Sequence, residues 1–171
     1  MMANKLLLST LLLCLLGGCA SSASKPAGAN DPCATIGQIL EAYENQFADI
    51  RGQKRSYDRI TIWTSTLQLV GSGCEIWGWQ GGKYNYVCNY TAPDEATARD
   101  IYANAVKKIE ACAGPEWVQK ETDTQQQGGQ QTLWQRQGTP QMVDLKLVPT
   151  RGINKPRWAL YLLLGDHNPQ F

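Results

Sequence analysis

Apolar and polar positions follow two rhythms along this chain, and the changes of rhythm mark its elements. Ile36, Leu40, Tyr43, Phe47 and Ile50 recur at helical spacing and form one apolar stripe. Asp31-Pro32 stands ahead of it with the chemistry of an N-cap and a first-turn proline, and Gly52 ends it. Lys54, Arg55 and Arg59 make the next stretch polar. Residues 57–70 are rich in β-branched and aromatic side chains and predict strand, broken near Ser65. Gly71-Ser72-Gly73 is a turn. Residues 74–79 and 84–90 then alternate on either side of Gln80-Gly81-Gly82-Lys83, which predicts a β-hairpin.

A second helix opens at Thr91-Ala92-Pro93-Asp94 and presents Ala98, Tyr102, Ala105, Ile109 and Cys112 on one face. Asp94 and Glu95 at its start and Lys107 and Lys108 near its end suit the helix dipole, and Gly114-Pro115 stops it. Residues 121–131 are Gln-, Thr- and Gly-rich and predict a loop, followed by strands at 132–137, 142–148 and 157–164. The last is apolar on both faces and is expected at the centre of the sheet. The predicted order is helix, three strands, helix, three strands. That is an α+β class, an antiparallel sheet with helices on one face. Trp63 and Trp134 each fall on the first predicted strand of their half, which admits a duplicated unit.

The first thirty residues belong to neither rhythm. Lys5 precedes an apolar run at 6–16, too short for a mature membrane span. Leu16-Gly17-Gly18-Cys19 closes it. This motif resembles the lipobox of bacterial lipoproteins, which gives Leu, a small residue, Gly or Ala, then Cys. The resemblance covers only the signal segment. It implies cleavage before Cys19, acyl chains (palmitate among them) on that cysteine, and a membrane-anchored mature protein. Ala20 occupies the place where Asp favours inner-membrane retention, so the resemblance further implies the outer membrane, facing the periplasm. Residues 1–18 are then signal peptide, residues 19–30 (Ser, Ala, Lys, Pro and Gly) a flexible tether, and residues 31–171 a single domain.

Charge adds little. Of 16 basic residues Lys5 leaves with the signal, so 15 remain against 15 acidic ones. There is no basic run suited to phosphates, and nucleic acid is not an expected partner. Cysteine usage adds more. Beyond Cys14 and Cys19, four remain: Cys33, Cys74, Cys88 and Cys112. An even set in an exported domain reads as two disulfides, with three possible pairings. Counting outward from Gly81-Gly82 sets Cys74 nearly opposite Cys88, while Cys33 opens the first helix and Cys112 closes the second. The favoured pairing is therefore Cys74–Cys88 with Cys33–Cys112. No C-x-x-C is present and the only histidine is His167, so neither metal nor cofactor is expected.

Candidate catalytic groups are sparse. His167 sits in a Gly-Asp-His-Asn-Pro tail with nothing to fix its ring. Carboxylates for acid–base work would be Glu75 and Asp144 on strands, or Asp94-Glu95 at a helix start, where solvent exposure or dipole pairing also accounts for them. The stronger signal is aromatic. Trp77, Trp79, Tyr84, Tyr86 and Tyr90 crowd one hairpin, and alternation sends Trp77 and Trp79 to the face that carries Glu75, with Cys74 and Ile76 on the other. Trp77, Trp79, Tyr84 and Tyr86 are the candidate binding residues. The favoured function is a non-enzymatic, lipid-anchored module that binds another envelope protein, as an immunity or inhibitor protein or an assembly factor. The alternative is a small envelope hydrolase or glycan-binding module using the aromatic face and a carboxylate. Replacing Cys19 with Ala should leave the chain uncut and unacylated. Metabolic labelling with a palmitate analogue checks this, and label on the Cys19→Ala protein would refute the anchor.

Overall fold

The computed structural model describes residues 31–71, 73–121, 128–150 and 157–166. The signal segment, Cys19, the tether and His167 lie outside the described residues, as do residues 122–127 of the Gln-rich stretch. Helix α1 (Pro32–Tyr43) is followed by a short 3₁₀ turn (Ala48–Ile50) and strands β1 (Arg51–Ser56), β2 (Ile60–Ser65), β3 (Glu75–Trp79) and β4 (Tyr84–Ala92). Helix α2 (Glu95–Cys112) leads into β5 (Trp117–Glu121), β6 (Gln130–Arg136), β7 (Gln141–Thr150) and β8 (Arg157–Asp166). The eight strands form one antiparallel sheet in the order β1-β2-β3-β4-β8-β7-β6-β5. Both helices pack on one face of it. The α+β class is as the sequence predicts. Among the described residues no helix is long and apolar enough to cross a membrane.

Each half carries four strands rather than three. The additional strands are β1 and β5, the two edges of the sheet. An edge strand need not bury an apolar row, and β1 is exposed at every position after Arg51. Its Lys54 and Arg55 and the register break between Arg51 and Lys54 are the features that blunt an open edge against pairing with other chains. No apolar alternation therefore marks β1 in the sequence. With the edges included, Trp63 and Trp134 lie on β2 and β6, the second strand of each half. The sheet order also runs symmetrically outward from β4 and β8.

The first helix is shorter than its apolar stripe. It ends at Tyr43, and Gln46 and Phe47 take left-handed backbone (φ 62° and 65°) that reverses the chain. Phe47 and Ile50 still reach the core, delivered by the turn instead of by helical spacing. The buried face of α1 is also rotated from the predicted stripe: Ile36, Ile39 and Ala42 are buried, while Leu40 and Tyr43 are only partly so. At the N-terminus Asp31 accepts from the backbone N–H groups of Cys33 (2.9 Å) and Ala34 (3.2 Å). Helix α2 matches its pattern: Asp94 accepts from the Thr97 N–H at 2.8 Å, and Ala98, Tyr102, Ala105 and Ile109 are buried.

The core lies between the helices and the sheet. From the central strands Tyr86 and Cys88 of β4, Leu160, Leu162 and Leu164 of β8, and Leu145 and Leu147 of β7 point into it. Each such fully buried aliphatic side chain stabilises the fold by about 1.5–3 kcal/mol. Two disulfides close it, with the favoured pairing. Cys33–Cys112 joins the start of α1 to the end of α2 across 79 residues, and Cys74–Cys88 crosses the β3–β4 pair across 14. Such bonds mark an oxidising, extracytoplasmic environment. On the loop-closure model the longer bridge contributes about 4 kcal/mol and the shorter about 3. The Cys33→Ala/Cys112→Ala chain should therefore lose about 4 kcal/mol of unfolding free energy in urea titration. An unchanged midpoint would show that the helix pair does not depend on its covalent tie.

Candidate functional site

Alternation on β3 sends Ile76 into the core and Glu75, Trp77 and Trp79 to the face of the sheet away from both helices. The two indoles are half-buried and meet edge to face, with centroids 5.6 Å apart and planes at 69°. That is a favoured geometry for aromatic rings. Both indole N–H groups are held. Trp77 Nε1 donates to Glu75 Oε2 at 2.9 Å, and Glu75 is itself ion-paired and hydrogen-bonded to Arg55 of β1. Trp79 Nε1 donates to Asn85 Oδ1 at 2.9 Å.

Asn85 continues that connection through the sheet. It is fully buried, and its Nδ2 donates to the Asp166 carbonyl at 2.8 Å. The Asp166 carboxylate accepts from the Tyr84 backbone N–H (2.8 Å) and from the Tyr43 hydroxyl (2.7 Å). A chain of hydrogen bonds thus runs from Trp79 through Asn85 and Asp166 to Tyr43 on α1, tying the tryptophan face to the helix layer. Burial, and then the Asp166 carboxylate, push the Tyr43 hydroxyl well above its ordinary pKa.

The tyrosines of the hairpin do not share this face. Tyr86 is fully buried among the helices, its hydroxyl donating to the Leu67 carbonyl at 3.1 Å. Tyr84 lies on the same side as Tyr86, with its ring 6.4 Å from that of Trp63. Trp63 and Tyr84 close over Gly78, where a Cβ would come within 2.8 Å of the Tyr84 ring and 2.9 Å of Trp63. The Arg51 guanidinium sits 4.1 Å from the Trp63 ring centroid and 4.9 Å from that of Tyr84. The structure therefore brings Trp77 and Trp79 together and assigns Tyr84 and Tyr86 to the opposite side. The Arg51–Trp63–Tyr84 stack leaves no mark in the sequence because β1, exposed after Arg51, has no apolar alternation. A β1–β2 hairpin is what carries Arg51 toward Trp63. Asn85 was missed as well; its polar side chain at a buried central position was the available signal.

The candidate carboxylates are spread out. Glu75, Val87, Leu163 and Asp144 form one row of directly paired residues across β3, β4, β8 and β7. Three strand spacings of about 4.8 Å separate Glu75 from Asp144 by about 14 Å. Paired carboxylates in glycoside hydrolysis stand about 5–9.5 Å apart. Each also has a cationic partner: Arg55 for Glu75, and Lys146 at 3.2 Å for Asp144, which in addition accepts from Gln131 at 2.8 Å. Asp94 is engaged as the cap of α2, and Glu95 pairs with Arg99 at 2.7 Å. Among the described residues no cluster of three or more His, Cys, Asp or Glu side chains could hold a metal ion.

No protein-family model, no curated protein and no solved structure matches this chain.

Burial raises the hydroxyl pKa of Tyr43, Tyr86 and Tyr102 above the ordinary 10.0. In the folded chain these groups keep protons that the unfolded chain releases above pH 10. Their contribution to stability is complete below that pH and is lost as pH rises through the folded values. Unfolding free energy should therefore fall steeply on the alkaline side of pH 10. Tyr43→Phe and Tyr86→Phe chains should show a shallower fall in urea titrations across that range, and parallel curves would contradict the assignment.

Proposed function

We propose that this chain is a lipid-anchored envelope protein that acts as a non-enzymatic protein-binding module and contacts its partner through the Trp77–Trp79 face of the sheet. The observation that carries this reading is the tryptophan pair itself. Two large rings, edge to face, have their orientation fixed by Glu75 and Asn85. Rings ordered in advance lose little conformational freedom on binding, and tryptophan is the residue most enriched among those that dominate interface energies. Arg55, Glu75 and Lys146 supply charges on the same face for a polar margin.

The envelope location is supported by the two disulfides and by the lipobox-like Leu16-Gly17-Gly18-Cys19. Ala20 supports the periplasmic face of the outer membrane. A small braced domain on a tether, with a preordered aromatic contact and widely spaced carboxylates, fits an inhibitor or immunity protein or an assembly factor better than a hydrolase.

The test is comparative capture from envelope extract with the tagged full chain and its Trp77→Ala and Trp79→Ala variants. A partner retained by the parent should bind each variant more weakly by about 2 kcal/mol, or about thirtyfold. Trp77→Ala should melt close to the parent, Trp79→Ala should lose about 1–3 kcal/mol because the buried Asn85 Oδ1 loses the indole donor, and Tyr86→Ala should lose about 3–5 kcal/mol as a core truncation. Equal retention by parent and variants would refute this face as the contact.

A further inference from the structure

A cavity of about 290 Å³ lies on the helix side of the sheet, apart from the tryptophan face. Leu162 of β8 is its floor. Ile101, Ala105 and Ile109 of α2 form one wall, and Leu69 and Val70 of the β2–β3 loop form the other. The lining residues with polar side chains are Asn104 and Lys108, both exposed and one turn apart on α2, so they stand at the lip.

The loop wall is fixed in advance. Gln68 donates to the Ser65 carbonyl and accepts from the Cys74 N–H, both at 2.9 Å. Tyr86 holds the Leu67 carbonyl from beneath, and the Cys74–Cys88 bond clamps the loop's far end. Gly71, at φ +68°, lies so close to β4 that a Cβ would come within 3.3 Å of the Asn89 carbonyl oxygen. The cleft is thus an apolar trough with preformed walls and a cation at its mouth, the usual composition of a small-ligand site.

We propose that this cavity binds a free fatty acid, with the acyl chain between α2 and the loop and the carboxylate at Lys108 and Asn104. A water-sized unit takes about 30 Å³, and a methylene is of similar bulk, so there is room for one chain of about ten carbons and not for the two chains of a phospholipid. Each methylene buried adds to binding by leaving water, and Lys108 offers the carboxylate a charge-assisted hydrogen bond that an uncharged head would lack. This site does not depend on the tryptophan face.

The probe is decanoate carrying a terminal diazirine, irradiated with the full chain in its own membranes. Label is expected on residues 69–71 or 101–109, competed by decanoate at least tenfold better than by decanol or phosphatidylglycerol. Ile101→Trp, which fills the trough, should cut labelling at least fivefold. Asn104→Trp, which blocks the lip, serves the same purpose if the first variant melts early by circular dichroism. Lys108→Glu, a surface change, should cut labelling and abolish the preference for decanoate over decanol. Label only at other residues, stronger competition by phosphatidylglycerol, or labelling unchanged in Lys108→Glu would each overturn the proposal.

Discussion

The pairing of β4 with β8 is the constraint on which the rest of the molecule depends. These are the last strands of the two halves. They run side by side without a register break, residues 85–92 against residues 158–165. Both faces of this pair are buried, Tyr86, Cys88, Leu162 and Leu164 toward the helices and Val87 and Leu163 on the other side. Every other strand is added outward from this seam, and α2 packs on β4, β7 and β8 together. The seam joins residues distant in sequence, Cys88 with Leu162 for example. Forming it closes a long loop, an entropic cost that local hairpins do not carry.

The same seam explains which parts of the fold were legible in the sequence. Residues 157–164 read as central because they are apolar on both faces, and that is where β8 lies. The β3–β4 hairpin was legible from its Gly-Gly turn and its alternation, and with it the Cys74–Cys88 bridge. The edges were not, because a strand with one open side needs no apolar row. The end of α1 was not, because Gln46 and Phe47 give no sign in the sequence that they take left-handed backbone. At the candidate site, alternation sufficed to put Trp77, Trp79 and Glu75 on one face. It did not extend to Tyr84 and Tyr86, which enter the helix side on the partner strand.

The sheet thus separates two chemistries. One side carries a rigid tryptophan pair among charged residues. The other carries the core and, at its margin, an apolar trough bounded by α2. The hydrogen-bonded chain from Trp79 through Asn85 and Asp166 to Tyr43 is a direct link between the sides. Polar networks of this kind are rigid when every member is satisfied, and Asn85, fully buried, is the member that most needs its partners. The orientation of Trp79 is set by Asn85, which β4 and β8 hold between them.

The Cys33–Cys112 bond also has a mechanical meaning. It enters the fold two residues after Asp31, in the first turn of α1. Tension applied ahead of Asp31 would otherwise peel α1 from its N-terminus, one turn at a time. With the bond in place the pull passes at Cys33 into the last turn of α2, and from there into the strands that α2 covers. The load is shared by both halves of the molecule, and α1 is not the weak link.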